Sequence, residues 1–338
     1  MHISLQDSTG LTEMWGLICS NKCTPLPIGI KVVVWDKGSD LMPNDINVNI
    51  GNSGEYFVAG ELERRGFTVA VPMSNVKDFD ILAINRETYD QFAIQVKTTG
   101  YKQKKWTLSK KNENLEGANI FYVFVSLNEL DMPEYHIVPS KIVANTIKEE
   151  HRKWLETPGR NGQKHNDTSI RVFLDKDDIY YDKWSLLTIK SIDDKKLSKG
   201  TYKSLTAYIP RLKEIEYAEL YPKRQIGDGS LENPFQMPFY VYADVVHAFE
   251  NEVYQFEKEH PEFQLNQYGD ILLLNGLRWD EQMMTNADVS KMNGQAVMAL
   301  ILGAIRAERF CDGAFKSFFE SGCIEKWLNR LQEIECLV

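Results

Sequence analysis

The stretch Asp78-Phe-Asp80-Ile-Leu-Ala-Ile84, followed after a turn by Phe92-Ala-Ile-Gln95-Val96-Lys97, decides the fold. Both apolar runs are short and rich in strand-forming residues, so they read as neighbouring strands. Side chains alternate along a strand, which places Ile94 and Val96 on one face and Gln95 and Lys97 on the other. An amide and an ammonium side by side on a strand face, just after an acidic residue that opens the preceding strand, describe a site rather than a core. Upstream, residues 51–66 carry apolar positions at helical spacing, with Tyr56, Phe57, Val58, Ala59 and Leu62 forming a broad face. Ser53 is the expected cap of that helix and Gly66 its terminator. Phe67-Thr-Val-Ala-Val71 then starts the first strand. The order is helix followed by three strands.

A second feature lies inside the same stretch. Lys97, Lys102, Lys104, Lys105, Lys110 and Lys111 fall between residues 95 and 112 with no acidic residue among them. The whole chain has a formal net charge of −9, which argues against indiscriminate nucleic-acid binding. A nucleic-acid role therefore needs a local basic patch, and this run is the candidate. Tyr101 and Trp106 sit within it as aromatics able to stack on bases or sugars.

These residues resemble the PD-(D/E)XK nuclease superfamily in its Q-x-K variant, over roughly residues 45–190. The resemblance implies an α/β fold, a restriction-endonuclease-like mixed sheet with flanking helices. It implies catalytic roles for Glu55, Asp80, Gln95 and Lys97, with Mg²⁺ or Mn²⁺ as cofactor. Asp80 would be the carboxylate ligand, the Gln95 amide oxygen and the Val96 carbonyl would add neutral oxygens, and Glu55 would act through a water or at a second metal position. Lys97 would hold or help deprotonate the attacking water and oppose the developing charge. Asp78 is a rival to Asp80; Asp80 is preferred because the apolar run follows it directly. Gln95 in place of a carboxylate removes one negative charge, so metal binding without substrate should be weak. The implied partner is nucleic acid, with DNA preferred, and Lys102, Lys104, Lys105, Trp106, Lys110 and Lys111 are the expected contacts.

Downstream, residues 120–127 read as a buried strand, 135–138 as a short strand, 141–155 as a helix opened by Pro139-Ser140, and 170–174 as a further strand. The polar loop 157–169 carries Arg160, Lys164 and His165, a flexible loop or a phosphate contact. The charged stretch 191–200 is the expected linker. Beyond it the pattern is mainly α-helical, with helices expected around Leu205–Leu212 and over 241–259, 296–310 and 315–334. The organisation expected is an extension over 1–45, a nuclease-like domain over 46–190, a linker over 191–200 and a helical accessory domain over 201–338. Substrate recognition and homodimer formation are the two roles open to the last.

The stretch Arg306-Ala-Glu308-Arg309-Phe-Cys311-Asp312-Gly313, continued by Gly322-Cys-Ile324-Glu-Lys-Trp327-Leu328, is similar to a motif of an uncharacterised bacterial domain family without established chemistry. Read locally, it is a helix end with ion-paired Arg and Glu. Cys19-x3-Cys23 has no second Cys or His pair nearby to complete a zinc site. The longest apolar run, 296–305, is too short to span a bilayer, no signal-peptide pattern opens the chain, and five unpaired-looking cysteines point to a cytoplasmic location. Two rivals stand beside the nuclease reading: a non-catalytic nucleic-acid-binding module on a nuclease-like fold, and a protein-interaction protein whose helical half carries the function.

Overall fold

Short apolar runs and a long amphipathic helix converge on one sheet in the first half of the chain. A computed structural model describes residues 43–72, 79–213, 215–224 and 226–337. The Cys19/Cys23 pair, nearly all of the 1–45 extension and Asp78 lie outside the described residues. Helix α1 spans Pro43–Arg64 and strand β1 Phe67–Ala70; β2 (Ile81–Asn85), β3 (Gln91–Thr99), β4 (Lys105–Ser109), β5 (Ile120–Ser126) and β6 (Glu134–Pro139) follow. Helix α2 (Ser140–Glu156) leads to β7 (Ile170–Leu174).

The main sheet has the order β1-β2-β3-β5-β6. It is mixed: β3 and β5 run parallel, and the other pairs are antiparallel. The parallel register sets Gln95 opposite Tyr122 and Lys97 opposite Phe124, so these four share one face. Ile94, Val96 and Thr98 occupy the other face, alongside Phe121, Val123 and Val125. The β4–β7 antiparallel ribbon covers the Tyr122/Phe124 face. Phe124 stacks on Phe173 of β7 with centroids 4.5 Å apart and meets Trp106 of β4 at 5.0 Å.

Three expectations for α1 change. The helix begins ten residues before Ser53, with Pro43 in its first turn, where the missing N–H costs nothing. Ser53 is therefore interior, and its hydroxyl donates to the Asn49 carbonyl at 2.7 Å instead of capping. The buried stripe is narrow, Gly54, Val58 and Leu62 at four-residue spacing. Tyr56 is 69% exposed and Phe57 47% exposed, because an edge-on helix buries one row, not the whole apolar arc. Gly66 ends the helix as expected, in the left-handed region at φ 88°.

The second half comprises α3 (Lys203–Thr206), β8 (Ala218–Tyr221), β9 (Phe239–Tyr242), α4 (Asp244–Glu259), α5 (Tyr268–Leu274), α6 (Glu281–Thr285), α7 (Gly294–Ala307), α8 (Ala314–Glu320) and α9 (Cys323–Leu337). The chain is thus α/β, a mixed sheet flanked by helices followed by a helical region. Helix α7 explains the apolar run: every residue from Gly294 to Ile305 is buried, since it is the central helix of its cluster. The helix expected over 315–334 is two, broken where Gly322 takes φ 73°. The start of the 241–259 helix is lost to β9, which pairs with β8. The helix expected around Leu205–Leu212 is one four-residue helix followed by turns, yet Leu205, Tyr208 and Leu212 are all buried.

Residues Asn47–Val338 form one compact unit. Within it, one hydrophobic cluster runs from Val58 to Leu187 and takes in Leu273, and a second runs from Ile189 to Ile334. The 191–200 stretch is tied to the second: Asp194 accepts from the Gly294 N–H at 3.0 Å, and the Ile192 carbonyl accepts from Asn293 Nδ2 at 3.0 Å. Among the described residues no helix is long and apolar enough to cross a membrane.

Candidate functional site

Asp80 stands one residue before β2, its N–H donating to the Ile94 carbonyl at 2.8 Å as though the strand had already begun. The β2–β3 ladder ends there, leaving the Val96 N–H without a strand partner on that side. The Asp80 carboxylate fills the gap: its Oδ2 accepts from the Val96 N–H at 2.8 Å and from the Gln95 amide. Lys97 Nζ lies 3.9 Å from the same oxygen and donates to the Val96 carbonyl at 3.0 Å. Asp80, Gln95 and Lys97 thus meet at one point, with the Lys97 side chain 31% and the Asp80 side chain 24% exposed. A charge of each sign is open to solvent on one side and to protein on the other.

Glu55 reaches the same point from α1. Burial and the neighbouring Asp80 charge push its carboxyl above the usual range, and Lys97 opposes them. Burial draws the Lys97 ammonium below its usual range; Asp80 and Glu55 pull it back, and Lys111 adds to the lowering. Asp80, Gln95 and Lys97 are therefore in contact, and Glu55 lies near enough for its charge to act on Lys97 and to be raised by Asp80.

Gly54 is what lets Glu55 approach. A Cβ on Gly54 would overlap the Thr98 hydroxyl and lie 2.8 Å from the Thr98 methyl. Thr98 is β-branched and has few rotamers to retreat into. Gly54→Ala is expected to cost about 1–3 kcal/mol through overpacking and to shift α1, and Glu55 with it, away from β3. A urea melt beside a Gly60→Ala control checks this, because a Cβ at Gly60 meets nothing within 4 Å. Equal stabilities of the two variants would mean that α1 does not rest on Thr98.

The donor set suits a hard cation. Asp80, Glu55, the Gln95 amide and the Val96 carbonyl offer only oxygens for coordination, as Mg²⁺ and Mn²⁺ prefer. Among the described residues no group of three or more His, Cys, Asp or Glu side chains gathers, so this pair of carboxylates carries all the negative charge here.

The basic run fares differently. Trp106 does not face solvent. It is 2% exposed, packs on Phe124 and His136 and donates Nε1–H to the Val125 carbonyl at 3.0 Å. The expectation that it contacts nucleic acid is corrected: β4 alternation turns it inward, and its indole fills the space between ribbon and sheet. Lys102 lies 3.8 Å from Glu134, Lys110 2.9 Å from Asp167, and Lys104 pairs with Asp178. Exposed pairs of this kind contribute little stability, but any phosphate would compete with them. Lys105 and Lys111 are exposed and have no ion pair among the described residues. Tyr101 stays 70% exposed.

In the loop 157–169, Asp167 accepts from Lys110 and from His151, each at 2.9 Å, and these bonds hold its carboxyl down at about 2. His165 stacks on Trp154 with centroids 4.0 Å apart, while Arg160 and Lys164 are exposed. Sequence reading passed over Asn112, which is 4% exposed; its Nδ2–H donates to the Tyr122 hydroxyl at 2.8 Å. Its only signal was a polar residue ending a lysine run.

In the helical half, Arg306 pairs with Glu257 at 2.8 Å, not with Glu308. Glu308 accepts from the Tyr242 hydroxyl at 2.7 Å and from the N–H groups of Gly313 and Phe315 at 2.8 and 2.9 Å. Asp312 accepts from the Tyr240 N–H at 3.2 Å. The motif's acids therefore fasten β9 to the start of α8.

Residues 200–336 match the model of a family of unknown function, DUF6508. No curated protein matches the chain. Among solved structures, a bacterial homing endonuclease is similar at 12% identity, over 41% of this chain and 89% of that one. The TM-score of that likeness is 0.27, too low to carry an argument.

Proposed function

We propose that the chain hydrolyses nucleic-acid phosphodiesters with Mg²⁺ or Mn²⁺, DNA being the substrate to test first. The observation that carries this reading is the single oxygen of Asp80 shared by the Val96 N–H, the Gln95 amide and, at 3.9 Å, the Lys97 ammonium. Structural lysine–aspartate pairs on sheets do not require a neighbouring amide and a second carboxylate. Asp80, Glu55, the Gln95 oxygen and the Val96 carbonyl would hold the cation. When bound, the cation supplies Lewis-acid neutralisation of the charge that develops on phosphate. Lys97 orients a water for in-line attack and faces the negative charge of the transition state. The water oxygen forms a bond to phosphorus, and the bond from phosphorus to one sugar oxygen breaks. One water proton goes to that departing oxygen, and the other stays with the new phosphomonoester.

A cytoplasmic location, and substrate recognition or a homodimer through the helical half, belong to the same reading. The test is cleavage of supercoiled and linear DNA by the purified full chain. Nicking is expected with Mg²⁺ or Mn²⁺, none with EDTA, and a loss of about 10²-fold or more for Asp80→Asn. Binding without cleavage under every metal would select the non-catalytic module instead. No nucleic-acid binding at low salt would select the protein-interaction reading.

A further inference from the structure

The β8–β9 ribbon has one face on the fold and one on solvent. Its register sets Ala218 opposite Tyr242 and Leu220 opposite Tyr240 on the inner face. That face is held: Tyr242 meets Phe315 of α8 at 5.9 Å, and the Lys316 ammonium lies over the Tyr240 ring at 5.3 Å. The outer face carries Glu219 opposite Val241 and Tyr221 opposite Phe239. Tyr221 and Phe239 form an edge-to-face pair with centroids 6.2 Å apart, yet they are 59% and 44% exposed. The pairing extends toward the hairpin tip through the Ile226–Gln236 bridge. Phe235, Met237, Phe239 and Val241 fall at every second residue, and all four are exposed. Apolar alternation of this kind marks a strand face built for burial, and here that face is uncovered.

At about 200 Å² per large side chain, Tyr221 and these four leave on the order of 500 Å² open. This is near the top of the range for the largest apolar patch on a monomer, and about two-thirds of the roughly 800 Å² that each partner gives a standard interface. A charged rim supplies the remainder in such interfaces. Within 218–242 the charged residues are three acids, Glu219, Asp228 and Glu232, and two bases, Lys223 and Arg224. That near-balance disfavours a phosphate backbone as the ligand, which needs a positive surface. The two signs flank the apolar stripe along the chain: Glu219 comes before Tyr221, and Lys223 with Arg224 after it. A twofold axis at Tyr221 brings Glu219 of one copy toward Lys223 and Arg224 of the other, so the face is complementary to itself. Pro222 and Pro238 lack N–H donors, which disfavours joining the ribbons edge to edge. We infer that the chain forms a twofold dimer by packing the outer β8–β9 face of one copy on that of a second. The dimer is part of the proposed function, but its formation does not depend on the metal chemistry.

The experiment is sedimentation velocity of the full-length protein at micromolar concentrations, in EDTA and without nucleic acid. The variants are Met237→Glu, Val241→Lys and, as a control, Met132→Glu. Met237 is 67% exposed and Met132, between β5 and β6, is 78% exposed, so neither charge enters the core. The parent is expected to sediment as a concentration-dependent dimer. Met237→Glu and Val241→Lys should each raise the dissociation constant by about 30-fold or more, with far-UV circular dichroism unchanged. Met132→Glu should match the parent. A dimer that Met237→Glu and Val241→Lys leave intact overturns the inference, as does equal dissociation by Met132→Glu. A monomeric parent overturns it as well; loss of duplex DNA binding in Met237→Glu would then make the ribbon a nucleic-acid surface. A dimeric parent that cleaves no DNA removes the nuclease reading and leaves the dimer standing.

Discussion

Lys97→Ala is expected to lower DNA cleavage by about 10³-fold while leaving DNA affinity within about twofold of the parent. The asymmetry follows from position. Lys97 is the ammonium held 3.9 Å from Asp80 and is partly shielded from solvent, so its charge acts where negative charge develops. For binding it is one cation among several on this face, and removing one phosphate contact changes the salt slope by about one unit at most. Folding should survive, because the side chain is 31% exposed and its loss opens no sealed cavity. Gln95→Glu sharpens the test. The carboxylate would sit where the amide now donates to Asp80, replacing a hydrogen bond with repulsion. Without metal that variant should melt earlier than the parent; with Mg²⁺ it should bind the ion more tightly and regain the difference. Titration calorimetry and melts with and without Mg²⁺ read both effects. Parent-level cleavage by purified Lys97→Ala would remove Lys97 from catalysis and favour the non-catalytic module.

The second large effect is on stability. Trp106→Ala is expected to destabilise the fold by about 3–5 kcal/mol. The indole is 2% exposed, meets Phe124 and His136 at 5.0 Å each, and donates to the Val125 carbonyl. Truncation leaves a cavity between ribbon and sheet and removes the indole hydrogen bond to a central strand. His136 shares that space: it is fully buried, and its Nδ1 is 2.7 Å from Asp175. The cost therefore spreads to a buried polar pair that relies on close packing. Chemical denaturation measures the loss, and the salt slope of DNA binding should not change. A Trp106→Ala protein as stable as the parent, but weaker on DNA, would restore Trp106 as a stacking surface.

Local chemistry in the sequence was enough to order the helix and strands through β3 and to bring Asp80, Gln95, Lys97 and Glu55 to one place. Period-two alternation assigns a strand's faces without tertiary information, and the amide and ammonium two residues apart had to share one. The same chemistry identified Gly66 as the end of α1, since few residues other than glycine adopt its positive φ readily. Trp106 and the paired lysines were not legible in this way. A strand as short as β4, flanked by lysines, has no periodic signal of its own, and only pairing with β7, sixty-odd residues later, decides which of its side chains are buried. The ion partners Glu134, Asp167 and Asp178 are likewise distant in sequence, so a run that reads as uniformly basic is neutralised piecemeal by elements folded against it. The break at Gly322 and the loss of the 241–259 helix's first turn to β9 have the same cause. Apolar periodicity continues through such points, and only packing against α7 and the Glu308 and Asp312 bonds determine where each element stops. The sequence by itself determined which residues could do chemistry; the tertiary structure decided which charges remain free to do it, because charge pairing and burial depend on neighbours that the chain brings together only on folding.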